Sequence, residues 1–156
     1  MLPPAHVSND FHFVIHAPLS RAATFFGPEA ERCWAGPHWN PDFLYPEPGK
    51  DIQGAVFRVR QGQAEAVWVN TLFDVAGGRM QYVSFAPASF VSTVDVRLTL
   101  LTQSTTSVEV TYARTALHPT ANDTVEALGR NDRESGPHWQ QAIESCLEEQ
   151  RKNTPE

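Results

Sequence analysis

The apolar positions along the chain follow two periods, and where the period changes the elements change. The segment FHFVIHA (11–17) is dense in aromatic and β-branched residues and predicts a strand ended by Pro18. In LSRAATFFG, Leu19, Ala22, Ala23 and Phe26 share one helical stripe, and Gly27 closes it. Gly27-Pro28 opens a second short helix with Ala30, Cys33 and Trp34 as its apolar set. Gly36-Pro37 stops that helix. A loop rich in Pro and Gly then runs from Asn40 to Gly54.

Five strand-like runs follow: 54–61, 65–75, 79–86, 89–101 and 107–117, separated by Gln61-Gly62-Gln63, Gly77-Gly78, Pro87 and a polar Thr/Ser tract. Short turns between consecutive strands predict an antiparallel meander. In 89–101 the residues Val94, Val96, Leu98 and Leu100 share one face, while Thr93, Asp95, Arg97 and Thr99 share the other. Val108, Val110 and Tyr112 likewise oppose Glu109, Thr111 and Ala113. Such alternation gives the sheet one wet and one covered face, and the helices must supply the cover. The tail 122–152 reads as helix, with Val125, Leu128, Trp139, Ile143, Cys146 and Leu147 in its stripe. Gly136-Pro137 interrupts it, so a restart or a bend is expected there.

The tetrapeptide GPHW occurs at 36–39 and again at 136–139, with no match in the flanking residues. It acts as helix punctuation twice over, not as a duplicated module. A chain of 156 residues suits one domain, with 1–10 and 151–156 expected as flexible tails. Twelve Lys and Arg against eighteen Asp and Glu leave a net charge of −6, which argues against a nucleic-acid partner. No apolar run suffices for a membrane helix and the first residues lack a signal-peptide pattern, so a cytoplasmic location is expected. Cys33 and Cys146 are expected as two buried free thiols, with a single bridge as the alternative.

The order of strand, two short helices, long meander and C-terminal helix resembles the helix-grip fold of the SRPBCC superfamily, which includes START domains, birch-pollen-allergen-like proteins and polyketide cyclases. The resemblance is carried by HAPLSRAATFF, AEAVWVNTLFDVAGGRMQYV and TALHPTANDTVEAL followed by HWQQAIESCLEE. None of these is a catalytic signature, and the glycine-rich loop of the allergen branch is missing. The expected class is α+β, a curved antiparallel sheet wrapped around a long C-terminal helix. The resemblance implies an interior cavity for a hydrophobic or aromatic molecule, lipid- or polyketide-like. Trp39, Phe57, Trp68, Tyr82, Val96, Tyr112, Trp139 and Ile143 are the candidate lining. An aromatase/cyclase- or dehydratase-like enzyme and a chaperone-activator-like interaction domain are the alternatives, and a homodimer stays open.

For proton transfer the candidates are His38, His118 and His138, with Glu109 and Arg114 on a strand. An inward-facing Asp, Glu or Arg with a His nearby would favour the enzyme, and a wholly apolar cavity a carrier. No metal and no other cofactor is expected. His12 and His16 lie about 13 Å apart along a strand, too far to share an ion, and Pro137 disturbs the turn joining Glu134 to His138. No nucleophile elbow or phosphate loop is visible.

Overall fold

The computed structural model describes residues 2–61 and 64–153. Its strands are β1 (His6–Ile15), β2 (Asp42–Tyr45), β3 (Val56–Gln61), β4 (Ala64–Asp74), β5 (Arg79–Ala86), β6 (Phe90–Thr102) and β7 (Thr105–Ala116). They form one antiparallel sheet in the order β1-β7-β6-β5-β4-β3-β2. After β1 come α1 (Leu19–Ala22) and two 3-10 turns, Ala23–Phe25 and Ala30–Cys33. The chain ends with α2 (Asn122–Arg133) and α3 (Gly136–Asn153).

The sheet register fixes which side chains meet. Val96 pairs with Val110 and Val110 with Phe11, while Leu98 pairs with Val108 and Val108 with Phe13. These residues are all buried, and they pack with Ile143, Cys146 and Leu147 of α3 in the principal core. Alternation along β6 and β7 thus becomes a greasy inner face closed by the last helix, the helix-grip arrangement. Each large aliphatic or aromatic side chain removed from water contributes about 1.5–3 kcal/mol, so this face drives the docking of α3. Leu100 keeps the inward parity but is half exposed, because the β6–β7 hairpin extends beyond its cover. The β4–β5 turn uses Gly78 at φ +68, and Asp74 Oδ1 accepts from Gly77 N–H at 2.9 Å.

Four expectations are corrected. Within the segment 1–10 expected as a free tail, residues 5–10 are tied down: β1 begins at His6, and Ala5 N–H donates to Asn122 Oδ1 at 2.7 Å. At the other end α3 runs to Asn153, and residues 154–156 lie outside those described. The loop 40–54 contains strand β2, whose short run pairs Phe43 with Phe57. Cys33 and Cys146 are joined in a disulfide that ties the second 3-10 turn to α3.

The second GPHW starts a helix. α2 stops at Arg133, and α3 begins at Gly136 with Pro137 in its first turn, where a missing N–H costs nothing. Gly136 allows a close approach: a Cβ there would lie 2.8 Å from His12 O of β1. At the first GPHW, Gly36 stands at φ +104 after the 3-10 turn, as expected of a stop.

Candidate functional site

The inward face of the sheet carries more than hydrocarbon. Moving from the apolar rows toward the α2 end, one row reads Asn70, Tyr82, Val94, Tyr112 and the next reads Trp68, Ser84, Ser92, Arg114. Asn70, Tyr82, Ser84 and Ser92 are buried. Polar groups there need partners, since an unsatisfied buried donor or acceptor carries a desolvation penalty.

At the α2 end that need is met. Arg114 donates through Nε and Nη2 to the two carboxylate oxygens of Asp132, both at 2.8 Å, and through Nη1 to Ser92 Oγ at 3.0 Å. Its guanidinium also lies 4.5 Å from the Tyr112 ring centroid. Arg114, a candidate for proton transfer, therefore clamps α2 to the sheet with its donors committed.

Toward the centre the need is not met. The Tyr82 hydroxyl and Asn70 Oδ1 are buried with no hydrogen-bond partner, although Asn70 Nδ2 donates to Ile52 O at 3.2 Å. Above them, Glu31 projects from the 3-10 turn Ala30–Cys33, and its Oε2 accepts from Gly27 N–H at 2.8 Å. Glu31 keeps some exposure as a residue, yet desolvation of its carboxyl group dominates its titration. Burial, with a smaller push from Asp51, raises its pKa from 4.5 to about 8, against the Gly27 hydrogen bond that lowers it. Burial raises the Tyr82 phenol well above its ordinary range, with further increments from Glu31 and Asp51. Tyr112 is raised by burial too, and it senses Arg114 and Glu31. Gly27 N–H lies near enough to the Tyr82 oxygen to favour its ionised form slightly, but without hydrogen-bond geometry. Asp51 has both oxygens engaged, accepting from Glu29 N–H at 2.8 Å and Ala30 N–H at 3.0 Å.

Two aromatic groups flank these residues. Trp139 of α3 contacts Phe11, Phe13, Trp34 and Tyr112 with ring centroids 4.9–6.3 Å apart. Trp39 meets Phe57 and Trp68 edge-on at 6.0 and 5.6 Å, and those two stack at 6.1 Å. The indole N–H groups of Trp34 and Trp39 donate to Phe25 O and Pro28 O, fixing the rings.

The eight residues expected to line a cavity therefore fall into three settings. Trp39, Phe57 and Trp68 form the second aromatic group. Tyr82 and Tyr112 face the centre, and Val96 and Ile143 are fully buried in the principal core, against which Trp139 packs. Two clefts, of about 400 Å³ between β1 and α2 and about 530 Å³ beside α1 and the end of α3, include none of these residues. The histidine candidates do not converge. His118 is exposed and its Nδ1 accepts from Thr120 N–H at 3.3 Å, capping a 3-10 turn, and His138 is exposed in the first turn of α3. Glu31 was missed, because nothing in the spacing of AERCW marks its carboxyl for burial.

The register also brings Asp10, His12 and Glu109 together on the exposed face, their ligand atoms within 4.8 Å of one another. His12 Nε2 and Glu109 Oε2 lie 3.3 Å apart. Spacing within β1 could not show this, because Glu109 arrives from β7 opposite His12.

No protein-family model matches the chain, and no curated protein sequence matches it. Solved structures do. A norcoclaurine synthase from Thalictrum flavum, in complex with dopamine and hydroxybenzaldehyde, aligns over 94% of this chain and 88% of its own at TM-score 0.66 and 11% identity. The chain has the helix-grip fold. The Zhui aromatase/cyclase from a Streptomyces species shares this fold over 96% of this chain and 97% of its own, at TM-score 0.65 and 13% identity. An uncharacterized protein from Rhizobium leguminosarum covers 94% and 97% at TM-score 0.65 and 14% identity. At such identities the likeness speaks for the helix-grip architecture alone. Among the described residues no helix is long and apolar enough to cross a membrane.

Proposed function

We propose that this chain binds an aromatic or otherwise apolar small molecule, lipid- or polyketide-like, between the inward face of its sheet and α3. The observation that carries the reading is the pair of unpartnered buried polar atoms, Tyr82 Oη and Asn70 Oδ1, opposite each other across β4 and β5, with Tyr82 in the aromatic-rich principal core. Interiors of native proteins leave few such atoms unpaired, and pockets for small molecules combine apolar walls with a few placed polar groups. The helix-grip relatives support it by analogy. One is in complex with dopamine and hydroxybenzaldehyde, and another is an aromatase/cyclase.

A second reading, an aromatase/cyclase- or dehydratase-like enzyme, draws on Glu31 and Tyr82: burial raises the pKa of the Glu31 carboxyl to about 8 and its charge is felt by the buried Tyr82 phenol, which suits proton transfer near neutrality. No His-based version of that chemistry is supported, because His118 and His138 are exposed.

Titration of the full chain with an apolar aromatic fluorophore tests the binding reading. Saturable uptake of about one molecule per chain, accompanied by a change in tryptophan emission, is the expected result. Absence of saturable binding across a panel of aromatic and polyketide-like compounds would remove the reading.

A further inference from the structure

Resting on that binding reading, we infer that the site selects ligands bearing a carbonyl oxygen, which it holds with two hydrogen-bond donors, the Glu31 carboxylic acid and the Tyr82 hydroxyl. Glu31 uses Oε2 to accept from Gly27 N–H, which leaves Oε1 to carry the carboxyl proton, with no hydrogen bond to it from the described residues. The Tyr82 hydroxyl is likewise unpartnered, on a side chain more than nine-tenths buried on the inward face. The two groups sense each other electrostatically but form no hydrogen bond with one another. A ligand acceptor atom is what the buried Tyr82 hydroxyl lacks, and the acid proton of Glu31 can meet the same atom.

The other charged or titratable groups around them are already committed. Asp51, from the loop before β3, accepts two backbone N–H groups. Arg114, which faces Tyr112 on β7, is held by Asp132 and Ser92. Arg32 pairs with Glu29 at 2.8 Å. No cation is therefore directed at Glu31 to hold it ionised, and burial beside Asp51 keeps it in the acid form up to about pH 8. A carboxylic acid and a phenol side by side present donors to a neutral acceptor. They repay a carbonyl and give a bare hydrocarbon nothing.

The experiment compares two tricyclic ligands of nearly equal size, fluorenone and fluorene, binding to the full chain at pH 6 and pH 9. Two neutral hydrogen bonds should favour fluorenone by about tenfold at pH 6. The preference should shrink at pH 9, where Glu31 has become acceptor-only, while fluorene affinity stays level. Tyr82→Phe should reduce the preference without weakening fluorene. Glu31→Gln, which keeps a donor but cannot titrate, should retain a preference that no longer changes with pH. If both ligands bind alike at both pH values, the two-donor site is wrong while the binding reading stands. If neither binds, both fail together.

Discussion

Asn70 and Tyr82 face each other across β4 and β5, and each leaves a polar atom buried without a partner. Among the described residues the other buried side-chain atom without a partner is Arg79 Nε, whereas Arg114 is paired with Asp132 and Ser92, and Thr106 with Ala17 O. The gap falls where Glu31 approaches from the segment opposite the sheet. That coincidence of unpaired groups, a protonated acid and aromatic walls is the reason to read the centre of the grip as a site.

Glu31 makes stability depend on pH in a direction opposite to the usual carboxylate. Its pKa is 4.5 when unfolded and about 8 when folded, so between these values the folded state holds the extra proton. Stability therefore falls as pH rises from about 4.5 to about 8 and levels off above. Glu31→Gln should flatten most of this slope and raise the melting temperature at pH 8, leaving the smaller contribution of Asp51, which is shifted in the same direction. Thermal melts of both proteins from pH 5 to pH 9 check it.

The Arg114–Asp132 pair should behave as a buried clamp. Asp132→Ala leaves a buried guanidinium uncompensated and should cost about 3–5 kcal/mol, whereas replacing both residues with apolar ones of similar volume should cost much less. Urea unfolding of the single and double variants measures the difference. A catalytic Arg114 would instead show its effect in ligand handling with stability little changed.

The bridge between Cys33 and Cys146 spans 113 positions and holds the turn carrying Glu31 against α3. Replacing both cysteines with serine should lower stability by about 2–4 kcal/mol, mainly through freedom gained by the unfolded chain. Reductant should lower the melting temperature of the parent protein and leave the variant unchanged.

Trp139 sits at the junction of four aromatic side chains and remains partly exposed. Trp139→Ala should cost about 3 kcal/mol, near the low end for such truncations. It should also shift ligand preference toward bulkier molecules, which competition between small and large aromatic ligands would reveal.

Much of the architecture was legible from periodicity. The alternation of Val94, Val96 and Leu98 against Thr93, Asp95 and Arg97 assigns inward and outward faces directly, while Pro137 marks a break without deciding between a bend and the new helix that the structure has. Strand β2 escaped because its four residues lie in a Pro-rich loop and pair through tertiary placement of Phe43 on Phe57. The disulfide escaped because no local pattern reports on partners 113 positions apart. At the site, Tyr82 and Tyr112 follow from strand parity. Glu31 does not, since the desolvation of its carboxyl group comes from tertiary packing that its own short segment does not report. His118 and His138 stood out as titratable residues at element ends, and that is where exposed caps occur.

The central claim, a small-molecule site inside the grip, is tested most directly by the side-chain N–H signals of the four tryptophans in a nitrogen-15-labelled chain. Adding fluorenone should shift the Trp34 and Trp139 signals and saturate at about one equivalent, with matching shifts of the Tyr82 and Glu31 backbone amides. Shifts confined to Val7, Arg130 and their neighbours in the β1–α2 cleft, or no saturable shifts at all, would contradict the account.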